Sequence, residues 1–154
     1  MKKQDYNATI LAATTPAEAF KAVTRVSAWW TENFDGSAEN TGDVFTVHFG
    51  ETFVTFKVVE SVAPQKAVWL VTDCYLHWLK DKTEWNGTSI SVEVSGTKDG
   101  TQISFTHIGL APGIECYNDC VKGWDQYVKD SLLKLITEGK GRPERKTPAA
   151  ASLA

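Results

Sequence analysis

Residues 115–138 read ECYNDCVKGWDQYVKDSLLKLITE, and the fold turns on this stretch. Its apolar side chains fall at Tyr117, Cys120, Val121, Trp124, Tyr127, Val128, Leu132, Leu135 and Ile136, the i, i+3, i+4, i+7 stripe of an amphipathic helix. Asp119, Lys122, Asp125, Gln126, Lys129, Asp130 and Lys134 take the opposite face. At ~1.5 Å per residue such a helix is about 36 Å long, enough to cross a whole sheet. Gly139 and Gly141 stop it, and Pro143 prevents its resumption. Residues 144–154 (ERKTPAAASLA) carry no apolar pattern and read as a mobile tail, leaving 1–143 as a single domain.

Upstream of this helix the period is two. Residues 6–13 alternate Tyr6, Ala8, Ile10 and Ala12 against Asn7, Thr9 and Leu11, which predicts a strand. Thr15-Pro16-Ala17-Glu18 then supplies a cap, a first-turn proline and a capping-box glutamate, so a helix runs to about Val26. A second short helix holds Ser27 to Glu32 with the Trp29-Trp30 pair. Residues 34–42 (FDGSAENTG) are rich in turn formers and read as a loop. Strand patterns follow over 43–50, 52–62, 67–73, 88–96 and 101–110, with 74–85 an irregular loop or frayed hairpin. The expected fold is α+β: a curved antiparallel six-stranded sheet wrapped around the long C-terminal helix, with two short helices after the first strand. One helix is narrower than the concave face it covers, so a cavity is expected between them.

Composition narrows the function classes. A chain of 154 residues fits one sizeable core, and a net charge of −3 with scattered basic residues argues against a nucleic-acid surface. No apolar run approaches the ~20 residues that span a bilayer, so no stable membrane insertion is expected. The N-terminus has no signal-peptide character, and the expected address is cytoplasmic, where the three cysteines would be free thiols. Six tryptophans are many for a domain this small to bury in a close-packed core, which places some at a cavity wall or on the surface.

Several short motifs together resemble a known family. They are Thr15-Pro16-Ala17-Glu18-Ala19-Phe20, Trp29-Trp30, Gly87-Thr88 and Phe105-Thr106-His107-Ile108-Gly109-Leu110. The run Cys116…Cys120…Gly123-Trp124 and the closing Gly139-Lys140-Gly141-Arg142-Pro143 complete the set. Their order is similar to that of the helix-grip superfamily of START-like, Bet v-type (SRPBCC) lipid-binding domains. Within it the chain looks most like the bacterial homologues of activators of heat-shock-chaperone ATPase (AHSA-type). The resemblance implies a helix-grip fold and a hydrophobic cavity but no single activity, because members include carriers, cyclases, hydrolases and chaperone regulators. In the chaperone activators the domain is joined to another that does much of the chaperone binding. Here it is expected to stand alone, which ranks the co-chaperone reading second.

The candidate ligand-binding set is Trp29, Trp30, Phe45, Phe49, Phe56, Trp69, Phe105, His107, Cys120, Trp124 and Tyr127. Taken singly, each aromatic is more readily ordinary core; as a set they suggest the walls of one cavity. His107 shares a face with Ile103 and Phe105 and points inward, where it either orients a ligand or is a core histidine bonded to backbone. It is the one weak catalytic candidate. Cys116 and Cys120 lie four apart; a zinc site lacks ligands, a disulfide within a regular helix is geometrically poor, and buried free thiols are the expectation. Glu60 and Asp73 sit in apolar strands and are expected to face outward, although a one-residue register shift would reverse them. No G-x-S-x-G, H-E-x-x-H, Walker A or C-x-x-C motif occurs. The first expectation is therefore a binder of an apolar or amphipathic small molecule such as a lipid, sterol, polyketide or aromatic, with no metal and no cofactor. Second comes a co-chaperone engaging a heat-shock chaperone, and third a cyclase or hydrolase acting on a polycyclic or aromatic substrate.

Overall fold

The computed structural model describes residues 5–77, 79–110, 115 and 117–143. The expectations for Trp78, for Cys116 and for the tail at 144–154 lie outside the described residues. The elements are β1 (Tyr6–Ala12), α1 (Pro16–Thr24), α2 (Val26–Trp29), β2 (Phe34–Gly36), β3 (Val44–Phe49), β4 (Thr52–Val62), β5 (Lys66–Tyr75), β6 (Ser89–Thr97) and β7 (Gly100–Ile108). A C-terminal helix of 22 residues closes the chain in three joined parts: α3 (Tyr117–Trp124), a π-helical stretch Asp125–Leu132, and α4 (Leu133–Glu138).

The strands form one antiparallel sheet in the order β1-β7-β6-β5-β4-β3-β2. The expected count of six strands is corrected to seven. Phe34–Gly36, expected in a loop, pairs with Phe45–Val47 of β3. Three residues are enough to complete the ladder on that edge but too few to show a period, so composition alone suggested a turn. Alternation elsewhere follows the side-chain period of a half-buried sheet: every second residue of β1 is buried, and β7 buries Thr101, Ile103, Phe105 and His107. The register carries one buried row across the inner face: Tyr6 opposite His107, His107 opposite Ile90, Ile90 opposite Trp69. Glu60 and Asp73 both face outward, and Glu60 lies 3.9 Å from Lys66. The ambiguity over their register has a physical source, because the β4–β5 ladder shifts between Thr55 and Phe56 and again between Val58 and Glu60.

Local chemistry sets the helices. The Thr15 hydroxyl accepts from the Glu18 N–H at 3.2 Å, with Pro16 in the first turn of α1. Gly139 ends α4 in the left-handed conformation (φ 80°), its N–H returning to the Leu135 carbonyl. The C-terminal helix packs on β1, α1 and α2. Its inward residues Cys120, Trp124, Val128 and Leu132 are spaced by four. In an α-helix each step of four drifts by about 40°. The π-helical stretch bonds one residue further along and so holds Trp124, Val128 and Leu132 in line against the core. Ser131 within it donates to the Trp29 carbonyl at 2.6 Å and accepts from the Arg142 N–H at 2.7 Å, tying the end of α2 and the returning chain to the helix.

Candidate ligand cavity

The sheet and the first turns of the C-terminal helix do not close completely on each other. A cavity of about 250 Å³ remains at this end of the domain. The helix supplies Asp119, Cys120, Gly123, Trp124 and Tyr127; the sheet side supplies Phe49, Thr52, Val54 and Leu76; Trp30 follows α2, and Trp85 comes from the loop before β6. The lining is almost wholly apolar, with five aromatic side chains. Their rings touch one another around it: Trp30 lies 4.7 Å from Trp124, Trp30 5.9 Å from Phe49, and Phe49 6.2 Å from Tyr127. Trp85 and Trp124 lie nearly parallel, 17° apart with centroids at 5.9 Å.

A buried hydrogen-bond chain fixes two of these walls. The Trp124 indole Nε1–H donates to His107 Nδ1 at 3.1 Å. An indole nitrogen can only donate, so Nδ1 is the accepting nitrogen of a neutral ring and the proton sits on Nε2. That Nε2–H meets Thr88 Oγ1 at 2.9 Å, and the Thr88 hydroxyl donates to the Trp85 carbonyl at 2.6 Å. Both nitrogens of His107 are thus engaged, and burial pushes its pKa down to about 3, so the ring stays neutral. His107 positions the two tryptophans, with neither nitrogen left to serve as a base. The chain also explains Gly109: at φ +106°, a methyl there would lie 2.6 Å from Thr88 Cγ2, so only glycine lets the end of β7 pass Thr88 so closely.

A latch holds the loop that brings Trp85. The Glu115 carboxylate accepts from the N–H groups of Lys80 and Asp81 at 2.8 and 3.0 Å, while the Glu115 N–H donates to the Glu84 carboxylate at 2.8 Å. The two backbone donors hold the Glu115 carboxyl below its ordinary range. A carboxyl depressed in the folded state favours the latched loop above the ordinary glutamate pKa, and the effect disappears as pH falls through the depressed value. Hydrogen exchange at Lys80 and Asp81, corrected for intrinsic rate, is expected to lose protection over that acid range. In Glu115→Ala it should already be lost at neutral pH. Protection that persists in the variant would show that the loop is held by something else.

Of the residues singled out in the sequence, Trp30, Phe49, Cys120, Trp124 and Tyr127 lie on the cavity lining. Trp29, Phe45, Phe56, Trp69 and Phe105 are fully buried and packed ring against ring behind it, and His107 stands behind Trp124. The Trp69 indole N–H has no hydrogen-bond partner among the described residues. The expectation of a free thiol at Cys120 is corrected: Cys120 is disulfide-bonded, whereas Cys74 is free and buried. The argument for free thiols rested on helix spacing and an expected reducing compartment, and neither excludes a bond at Cys120. Thr52, Val54, Leu76, Trp85, Thr88, Asp119 and Gly123 were not among the candidates. For Gly123 a signal existed, since a glycine inside a helix weakens it and asks for a packing reason. Among the described residues, no group of three His, Cys, Asp or Glu side chains is placed to hold a metal ion, and no helix is long and apolar enough to cross a membrane.

No model of a known protein family matches the sequence, and no curated protein does. Solved structures do match in fold. The Aha1 dimer from Colwellia psychrerythraea superposes with a TM-score of 0.73 at 22% identity, over 90% of this chain and 99% of that one. A protein of Mesorhizobium loti gives a TM-score of 0.69 at 14% identity, over 86% and 96% of the two chains. DynU16, a protein of the dynemicin biosynthetic locus, gives 0.65 at 17% identity, over 92% of this chain but 50% of its own length. At these identities the likeness establishes the fold alone.

Proposed function

We propose that this START-like domain binds a small, largely apolar molecule of one or two rings in the cavity beneath the C-terminal helix, without acting on it chemically. The observation that carries the reading is the aromatic lining of a 250 Å³ space whose Trp85 and Trp124 walls are fixed by a buried hydrogen-bond chain. Ligand sites are usually apolar cavities of ~300–1,000 Å³ with a few placed polar groups. A volume just below that range favours a compact aromatic over a sterol or a two-chain lipid. Engagement of both His107 nitrogens weighs against the cyclase or hydrolase reading. The protein's likeness in fold to an Aha1 dimer keeps a second reading, a co-chaperone acting on a heat-shock chaperone ATPase; unchanged ATPase turnover on adding the domain would end it.

Gly123 supplies the test. It lines the cavity from inside α3, and a Cβ built there meets nothing within 4 Å. Gly123→Ala is therefore expected to stabilise the helix by about 0.5–1 kcal/mol. Gly123→Leu should keep the fold but push its side chain into the space, weakening a bound guest by roughly ten- to hundredfold. Quenching of tryptophan fluorescence by indole and 1-naphthol is the readout. Saturable quenching in the native protein, lost in Gly123→Leu at unchanged or raised melting temperature, is the expected result. Equal titrations of the two proteins would remove the cavity from consideration.

A further inference from the structure

Resting on the reading that the cavity takes a small molecule, we propose that it selects a positively charged guest, a compact organic ammonium, over a neutral one of the same shape. Among the described residues, its lining combines Trp30, Phe49, Trp85, Trp124 and Tyr127 with a single formally charged residue, the exposed Asp119 in the first turn of α3. No lysine or arginine is among the described residues of the lining. Aromatic rings carry negative potential on their faces, and a cation set against them in a desolvated site is attracted where a neutral guest is not. The rings are inclined to one another by angles from 17° to 52° rather than lying in one plane. The Asp119 carboxylate adds the same sign of field. The N-terminal end of a helix attracts anions, but Asp119 itself already occupies that position in α3. On the covering loop, Lys82 turns its ammonium to the carbonyls of His77 and Leu79, both at 2.8 Å, and to the Tyr75 ring. An anionic guest would therefore meet repulsion from the carboxylate, with no cation among the described lining residues to offset it.

Choline and its neutral carbon isostere 3,3-dimethylbutan-1-ol separate the charge from the shape. Titrated by tryptophan fluorescence alongside indole, choline is expected to bind about tenfold more tightly than the alcohol. Asp119→Asn, an exposed and isosteric change, should cut that ratio to about threefold. Choline binding no better than the alcohol while indole still binds overturns the charge preference and leaves the cavity reading standing. Failure of indole, choline and the alcohol alike overturns both.

Discussion

Trp124→Ala is expected to destabilise the domain by about 3–5 kcal/mol, measured as a fall in the urea unfolding midpoint. The side chain is 2% exposed, although it borders the cavity. A residue that merely walls an open space has contacts on one side only and costs less to remove. Trp124 instead has rings against it from Trp30 and Phe105, both at 4.7 Å, and from Trp85 and His107, both at 5.9 Å. Truncation would remove all four contacts and leave His107 Nδ1 without its donor. Trp124→Phe keeps most of the packing and loses only the N–H, so about 1–2 kcal/mol is expected. A loss below ~2 kcal/mol for the alanine variant would mean that this part of the helix is not seated on the core as described.

His107→Ala should cost a comparable amount, about 3–5 kcal/mol, for a different mixture of reasons. The imidazole is fully buried, so its removal opens a void in the row between Tyr6 and Ile90. It also orphans the Trp124 N–H, and an unsatisfied buried donor costs ~1–3 kcal/mol. Because both variants break the same bond, Trp124→Ala combined with His107→Ala should lose clearly less than the sum of the two. His107→Gln is the informative control. Its amide can accept from Trp124 and donate to Thr88, and it should recover part of the loss where leucine would not. The pH dependence follows from the same burial. The folded ring titrates near 3 and the unfolded one near the ordinary value of 6.5. Below about 6.5 the unfolded chain takes up a proton that the folded chain refuses, so stability falls from there toward pH 3. That component should be missing from the native-minus-Gln difference if His107 is charged in the folded state.

Much of the architecture could be read from local pattern, and the limits have identifiable physics. The apolar stripe from Tyr117 to Ile136, the Thr15 cap and the alternation through β7 each arise from neighbours close in sequence, and each appears where its period places it. The third edge-wards step of the sheet did not, because β2 is three residues containing Asp and Gly, held only by its pairing with β3. The cavity was legible as an excess of aromatic side chains, but its membership was not. Trp85 sits in a segment with no period, and its place depends on His107 and on Trp124, residues 22 and 39 positions away by their numbering. His107 could be read as inward-facing from β7. Its partners could not, since Thr88 and Trp124 are brought to it by the β6–β7 pairing and by the docking of the helix.

The π-helical middle of the C-terminal helix also bears on how this chain tolerates changes of length. Removing one residue between Asp125 and Leu132 would let ordinary α-helical bonding resume through the gap. The wider π turns hold about one residue more than α turns, so that change of bonding takes up the loss and the helix beyond keeps its face toward the core. Leu135 would stay buried. The same deletion made in the regular turns of α3 would instead rotate everything beyond it by about 100° and uncouple the two halves of the rod.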